Sequence, residues 1–62
     1  MRFVLEVNFD TENMQEKPLE ELQRILADWS KRIALYPLEP GSQEDVYDSQ
    51  NEEVGEWAVL DD

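Results

Sequence analysis

Apolar and polar residues alternate through Phe3-Val4-Leu5-Glu6-Val7-Asn8-Phe9, with Phe3, Leu5, Val7 and Phe9 on one side and Val4, Glu6 and Asn8 on the other. Period two is the mark of a half-buried strand and predicts one over about residues 2–9. Residues 10–17 are polar and read as a connection, with Asn13 and Glu16 at the spacing of a capping box. From Pro18 the period changes. Leu19, Leu22, Leu26, Trp29, Ile33 and Tyr36 recur at steps of three and four, Ile25 widens the stripe, and the spacing predicts a helix over about 18–36. Pro18 suits a first helical position, Glu20 and Glu21 meet the positive end of the helix dipole, and Lys31 and Arg32 meet the negative end. The same a/d spacing also fits a coiled-coil seam.

Pro37 stops the helix, and residues 37–43 (PLEPGSQ) read as a loop from their Pro and Gly content. Beyond it, Asp45-Val46-Tyr47 and Val54 to Leu60 flank Ser49 to Glu52, which predicts a hairpin over about 44–60 with a loop of four residues or so. Gly55 inside the last strand points to a bulge or a close backbone approach, and a bulge there puts Val54, Trp57 and Val59 on one inner face. The fold class is therefore α+β: a single domain over 1–62, ordered β-α-β-β, with one helix packed on a small, mainly antiparallel sheet of about three strands. Trp57 and Trp29 are expected in the core.

Charge changes this picture. The chain carries 16 acidic and 5 basic residues, a net charge of −11. From Pro37 to Asp62 there are nine carboxylates and no Lys or Arg. Val46, Tyr47, Val54, Trp57, Val59 and Leu60 are poor material for disorder, so the acids are expected on a folded hairpin rather than a flexible tail, with Asp61 and Asp62 frayed. Arg24, Lys31 and Arg32 are expected on the exposed side of the helix, paired with Glu20, Glu21 and Asp28.

Candidate chemistry is narrow. There is no His and no Cys, which excludes disulfides, the usual zinc sites and activated thiols. Carboxylate pairs such as Asp45 with Asp48, or Glu52 with Glu53, are the right groups for acid and base work. One helix and three short strands offer little concavity in which to desolvate them, and no enzymatic activity is expected. DVYDSQNEE lacks the alternating acids and the Gly of a calcium loop, and neither a dedicated metal site nor a cofactor is expected. The negative charge disfavours direct contact with nucleic acid or an anionic membrane. The start of the chain has no small-residue cleavage site, and a cytoplasmic location in a bacterial host is the expectation.

NFDTEN, KPLEELQRILADWSKRI and VYDSQNEEVGEWAV together resemble a loose family of very small proteins common in phages and their bacterial hosts, in which a strand leads to an ELxRIL helix and a hairpin of the type LxDxNGNxVGxWxV. Asp48 matches the Asp that opens the hairpin loop, Val54 and Gly55 match VG, and Trp57 and Val59 match WxV. Gln50, Asn51 and Glu52 stand where the family has N-G-N, which removes the glycine that would take a positive φ in a tight turn. The resemblance implies the strand, helix, hairpin order and a mobile-element origin. It implies no activity.

Solubility is served by mixed signs and a modest net charge, whereas the signs here are segregated at a cost in self-repulsion. Carboxylates on two paired strands make a grid comparable in spacing to backbone phosphates. The expectation is an acidic hairpin face, built from Glu44, Asp45, Asp48, Glu52, Glu53 and Glu56 with Tyr47 as an aromatic anchor, that meets the basic surface of a nucleic-acid-binding host protein or complex. By analogy of size, charge and origin this is similar to the anti-CRISPR proteins, which implies a CRISPR effector as one such target. The rival expectation is a small structural module, possible as a homodimer, whose acids only solvate it.

Overall fold

A computed structural model describes all residues 1–62. The alternating stretch forms β1 (Arg2–Val7), which ends two residues earlier than expected. Asn8 still donates its N–H to Val54 O at 2.7 Å, but Phe9 leaves the sheet and is exposed. The polar connection contains a short helix, α1 (Glu12–Glu16), capped by Thr11 rather than Asn13. Thr11 Oγ1 accepts from the Met14 N–H, and Met14 is fully buried. This turn was hidden in the sequence because it contributes a single apolar side chain, too few to show a period.

The main helix, α2, runs Pro18–Arg32 with Pro18 in its first turn, and residues Ile33–Leu35 tighten into a 3-10 turn. Its inward line differs from the expected stripe. Ile25 and Trp29 are buried with Glu21, while Leu19 and Leu26 are 67% and 47% exposed. The helix is rotated toward the side where Glu21 meets Ser49.

β2 (Gln43–Tyr47) and β3 (Glu53–Leu60) form the hairpin, and β3 lies in the middle of a fully antiparallel sheet of order β1-β3-β2. Val46 pairs with Gly55 but Tyr47 with Glu53, so Val54 is the extra residue of a bulge. The bulge lets Val54, Trp57 and Val59 all be buried, as the sequence predicted. Gly55 serves the close approach as well: a Cβ there would lie 1.9 Å from Glu6 O on β1.

The core holds Met14, Ile25, Trp29, Val46, Val54, Trp57 and Val59. Trp57, 1% exposed, is its centre. Trp29 and Tyr36 meet it edge-on with ring centroids at 5.5 and 5.1 Å, and Phe3 lies at 5.7 Å. Such aromatic contacts add roughly 0.5–1.5 kcal/mol each beyond the area they bury. The indole N–H of Trp57 has no hydrogen-bond acceptor.

The hairpin turn is shorter than expected. Asp48 and Glu52 close a three-residue loop through Asp48 N–H to Glu52 O at 2.9 Å, with Asn51 N–H bonded to Asp48 O at 2.9 Å. Asn51 takes the left-handed conformation, φ 62°, where glycine would be the usual residue. Asn tolerates this region better than other side chains do. Asn51→Gly is therefore expected to leave stability within about 0.5 kcal/mol, and Asn51→Val to cost about 1–2 kcal/mol, read from urea denaturation midpoints.

No helix is long and apolar enough to cross a membrane.

Candidate functional site

The strand register sorts the hairpin acids onto different surfaces. Across the three strands Glu6 pairs with Glu56 and Glu56 with Asp45, so three carboxylates lie side by side in one row. Phe3, Leu5, Trp57, Val59 and Val46 occupy the alternate positions that face α2, which places the row on the opposite, outer face. All three acids are exposed and none forms a salt bridge; the chain's ion pairs are Arg2–Asp62, Arg24–Glu21 and Arg32–Asp28. Like charges directly opposite across strands destabilise a sheet, and here two such pairs share Glu56.

Tyr47 and Glu53 are partners at the turn end of the hairpin, and both are exposed. Glu52 sits in the turn, where it shares a polar depression with Glu12 and Glu16 of α1. These four, Asp45, Glu52, Glu53 and Glu56, are the hairpin acids left free.

Two of the expected face residues are spent on the fold. Glu44 lies on the helix side of the sheet, where it accepts the hydroxyl of Tyr36 at 2.8 Å. That bond to Glu44 pushes the Tyr36 phenol above its ordinary pKa. Asp48 is 4% exposed and cannot belong to a surface grid. Its Oδ1 accepts the N–H groups of Gln50 and Glu52 at 2.9 and 3.0 Å, and its Oδ2 accepts Thr11 Oγ1–H at 3.1 Å. Burial by itself raises the Asp48 pKa. The Glu52 N–H, the Thr11 hydroxyl and the Gln50 N–H outweigh it, and the carboxyl ends below the ordinary range.

A second buried acid was missed in the sequence. Glu21 of α2 accepts the Ser49 N–H at 2.9 Å and the Ser49 hydroxyl at 2.7 Å. Those two bonds hold its pKa below the usual value, against the effect of burial, with help from Asn13 and Arg24. Asn13 also donates to Ser49 Oγ at 3.2 Å, and Arg24 donates to Tyr47 O at 2.9 Å. Thr11, Asn13, Glu21 and Arg24 thus fasten the hairpin turn to both helices. No sequence signal marks such a set, because its members are 23 to 37 residues apart from their partners.

Glu6 of β1 belongs to this face as well. Its position on the polar side of the first strand was legible, but its neighbours depend on β3 lying between β1 and β2.

The outer row is also the place to test the charge cost. Glu56→Lys would turn two repulsive pairs into attractive ones and is expected to raise the melting temperature by about 2–6 °C. No change, or a fall, would mean that the three carboxylates do not sense one another.

No three carboxylates converge to hold a metal ion. Comparison with family models, curated proteins and solved structures finds no match to this chain.

Proposed function

We propose that the protein is a non-enzymatic inhibitor whose acidic face occupies the Lys and Arg cleft of a nucleic-acid-binding complex, in the manner expected of a phage-encoded, anti-CRISPR-like protein. The observation that carries this reading is the unneutralised row Glu6–Glu56–Asp45. With strands roughly 4.8 Å apart, the row spans roughly 10 Å. One strand of a DNA duplex presents a phosphate about every 3.4 Å of axis, so the same length carries about three charges. The sheet holds its carboxylates in register without ordering flexible chain, which limits the entropy lost on binding. Glu53, with Tyr47 beside it as an aromatic anchor, and Glu52 extend the charge toward the turn. The surrounding net charge of −11 steers the encounter with a basic partner.

The rival reading, acids that only solvate a small module, gains from Glu44 and Asp48, which serve the fold itself. Binding separates the two. Tagged wild-type protein and an Asp45→Lys, Glu56→Lys variant are used as matched baits in a bacterial lysate. Each bait is washed at low and then high salt, and then with an oligonucleotide. A nucleic-acid-binding complex retained by the wild type, absent from the variant and released by salt and by oligonucleotide is the expected result. Empty beads, or equal retention by both baits, would overturn the proposal.

A further inference from the structure

We infer that the free edge of β1 is the seam of a homodimer, in which two copies of this chain pair β1 antiparallel to β1 and join their sheets into one of six strands. The seam shares only Glu6 with the acidic row: Arg2 of the second copy would neutralise that end and leave Glu56 and Asp45 free.

The sheet has two edges, and they differ in chemistry. β2 carries Glu44 and Asp45 with no base, and charge of one sign along an edge discourages pairing with a second copy. β1 reads RFVLEV, with one Arg, one Glu and four apolar residues. Asn8 N–H donates to Val54 O, and the β1–β3 register runs without a shift, so the main-chain groups of Glu6, Val4 and Arg2 face β3. By alternation those of Phe3 and Leu5 point away from the sheet. No other backbone bond reaches them.

Self-pairing centred on Val4 is complementary at every position. Arg2 falls opposite Glu6 of the second copy, Phe3 opposite Leu5, and Val4 opposite Val4. Both charged pairs lie on the outer face, and the Phe3–Leu5 pairs lie on the helix face. Arg2 now holds Asp62 at 2.6 Å, but both partners are more than half exposed, so that pair is readily exchanged.

The helix face has room for the second copy. The bonds from α2 run to Ser49 and Tyr47 O, on the hairpin side of the sheet. Over β1 there remains an apolar cleft of about 310 Å³ lined by Phe3, Leu5, Leu26, Ile33, Leu38 and Trp57 among others. Phe3 is 51% exposed there. A two-fold axis through Val4, normal to the sheet, puts both helices on the same face and merges the two clefts. Leu26, which the monomer leaves half in water, then faces apolar surface. The symmetric arrangement is closed, with the charged β2 strands at its outer edges.

The test is sedimentation equilibrium of the whole protein at about 0.15 M salt, from millimolar to submicromolar concentration, with circular dichroism to confirm that each variant is folded. The wild type is expected to approach twice the chain mass of 7.3 kDa as concentration rises. Arg2→Glu alone and Glu6→Arg alone each set like charges opposite one another and should weaken association about 10- to 100-fold. The double variant carrying both exchanges restores opposite charges in the same register and should regain the wild-type dimer. Leu26→Gln, at a half-exposed position, should weaken the dimer while leaving the monomer folded. Amide exchange at Phe3 and Leu5 should slow as the dimer forms. A single-chain mass at every concentration would overturn the inference, and so would a dimer that both charge reversals leave intact.

Discussion

Gly55→Ala is expected to destabilise the protein by about 2–4 kcal/mol, measured as a shift in the urea midpoint at unchanged slope. The added methyl would sit 1.9 Å from the carbonyl oxygen of Glu6, a contact no side-chain rotation can relieve because both groups are backbone-bound. Either β1 moves away from β3, which breaks ladder bonds, or the bulge at Val54 opens and uncovers the core. A 62-residue chain has a total stability of roughly 3–9 kcal/mol, so this single methyl removes a large share of it. Gly41 supplies the internal comparison. It has φ 99° and nothing within 4 Å of an added Cβ, so Gly41→Ala meets backbone strain alone and should cost about 1–2 kcal/mol. Equal costs at the two glycines would show that the approach of β1 to β3 at Gly55 is not as close as described.

Asp48→Ala is expected to cost about 2–3 kcal/mol, since it strips the acceptor from the Gln50 and Glu52 N–H groups and from Thr11. The loss should localise: the 48–52 turn and α1 loosen together, seen as faster amide exchange at Gln50, Glu52 and Met14. The pH dependence follows from the direction of the shift. Asp48 is lowered in the fold, so its contribution is present above the ordinary Asp value of 3.8 and is lost as pH falls through the lower, folded value. Glu21, also lowered, acts in the same sense below its ordinary 4.5. Acid also neutralises the exposed carboxylates and relieves their repulsion, an effect of opposite sign. The difference between wild type and Asp48→Asn isolates the buried group: it should shrink as pH falls below 3.8. A difference that stays constant through that range would mean that Asp48 is not held as a charged acceptor.

The strand at Phe3 to Val7, the helix from Pro18 and the hairpin closing on Val54, Trp57 and Val59 all announce themselves through local periodicity, because each element must present one apolar face. The Gly55 approach was readable too, as a glycine inside a strand. The helix rotation was not. Leu19 and Leu26 fit a perfect stripe, yet α2 turns Glu21 inward, because a carboxylate that accepts two bonds from Ser49 is satisfied when buried.

The acidic face shows the same division. Charge count and strand pattern are local properties of the chain, and they are enough to place the carboxylates on a folded hairpin. Which carboxylates remain free was decided by tertiary structure alone. Sheet order brings Glu6 beside Glu56 and Asp45, strand parity sends Glu44 to Tyr36 on the other face, and the turn folds Asp48 over its own amides. The physical reason is that a side chain's surroundings depend on register and strand order, which arise from contacts between residues far apart in the chain and leave no period to read.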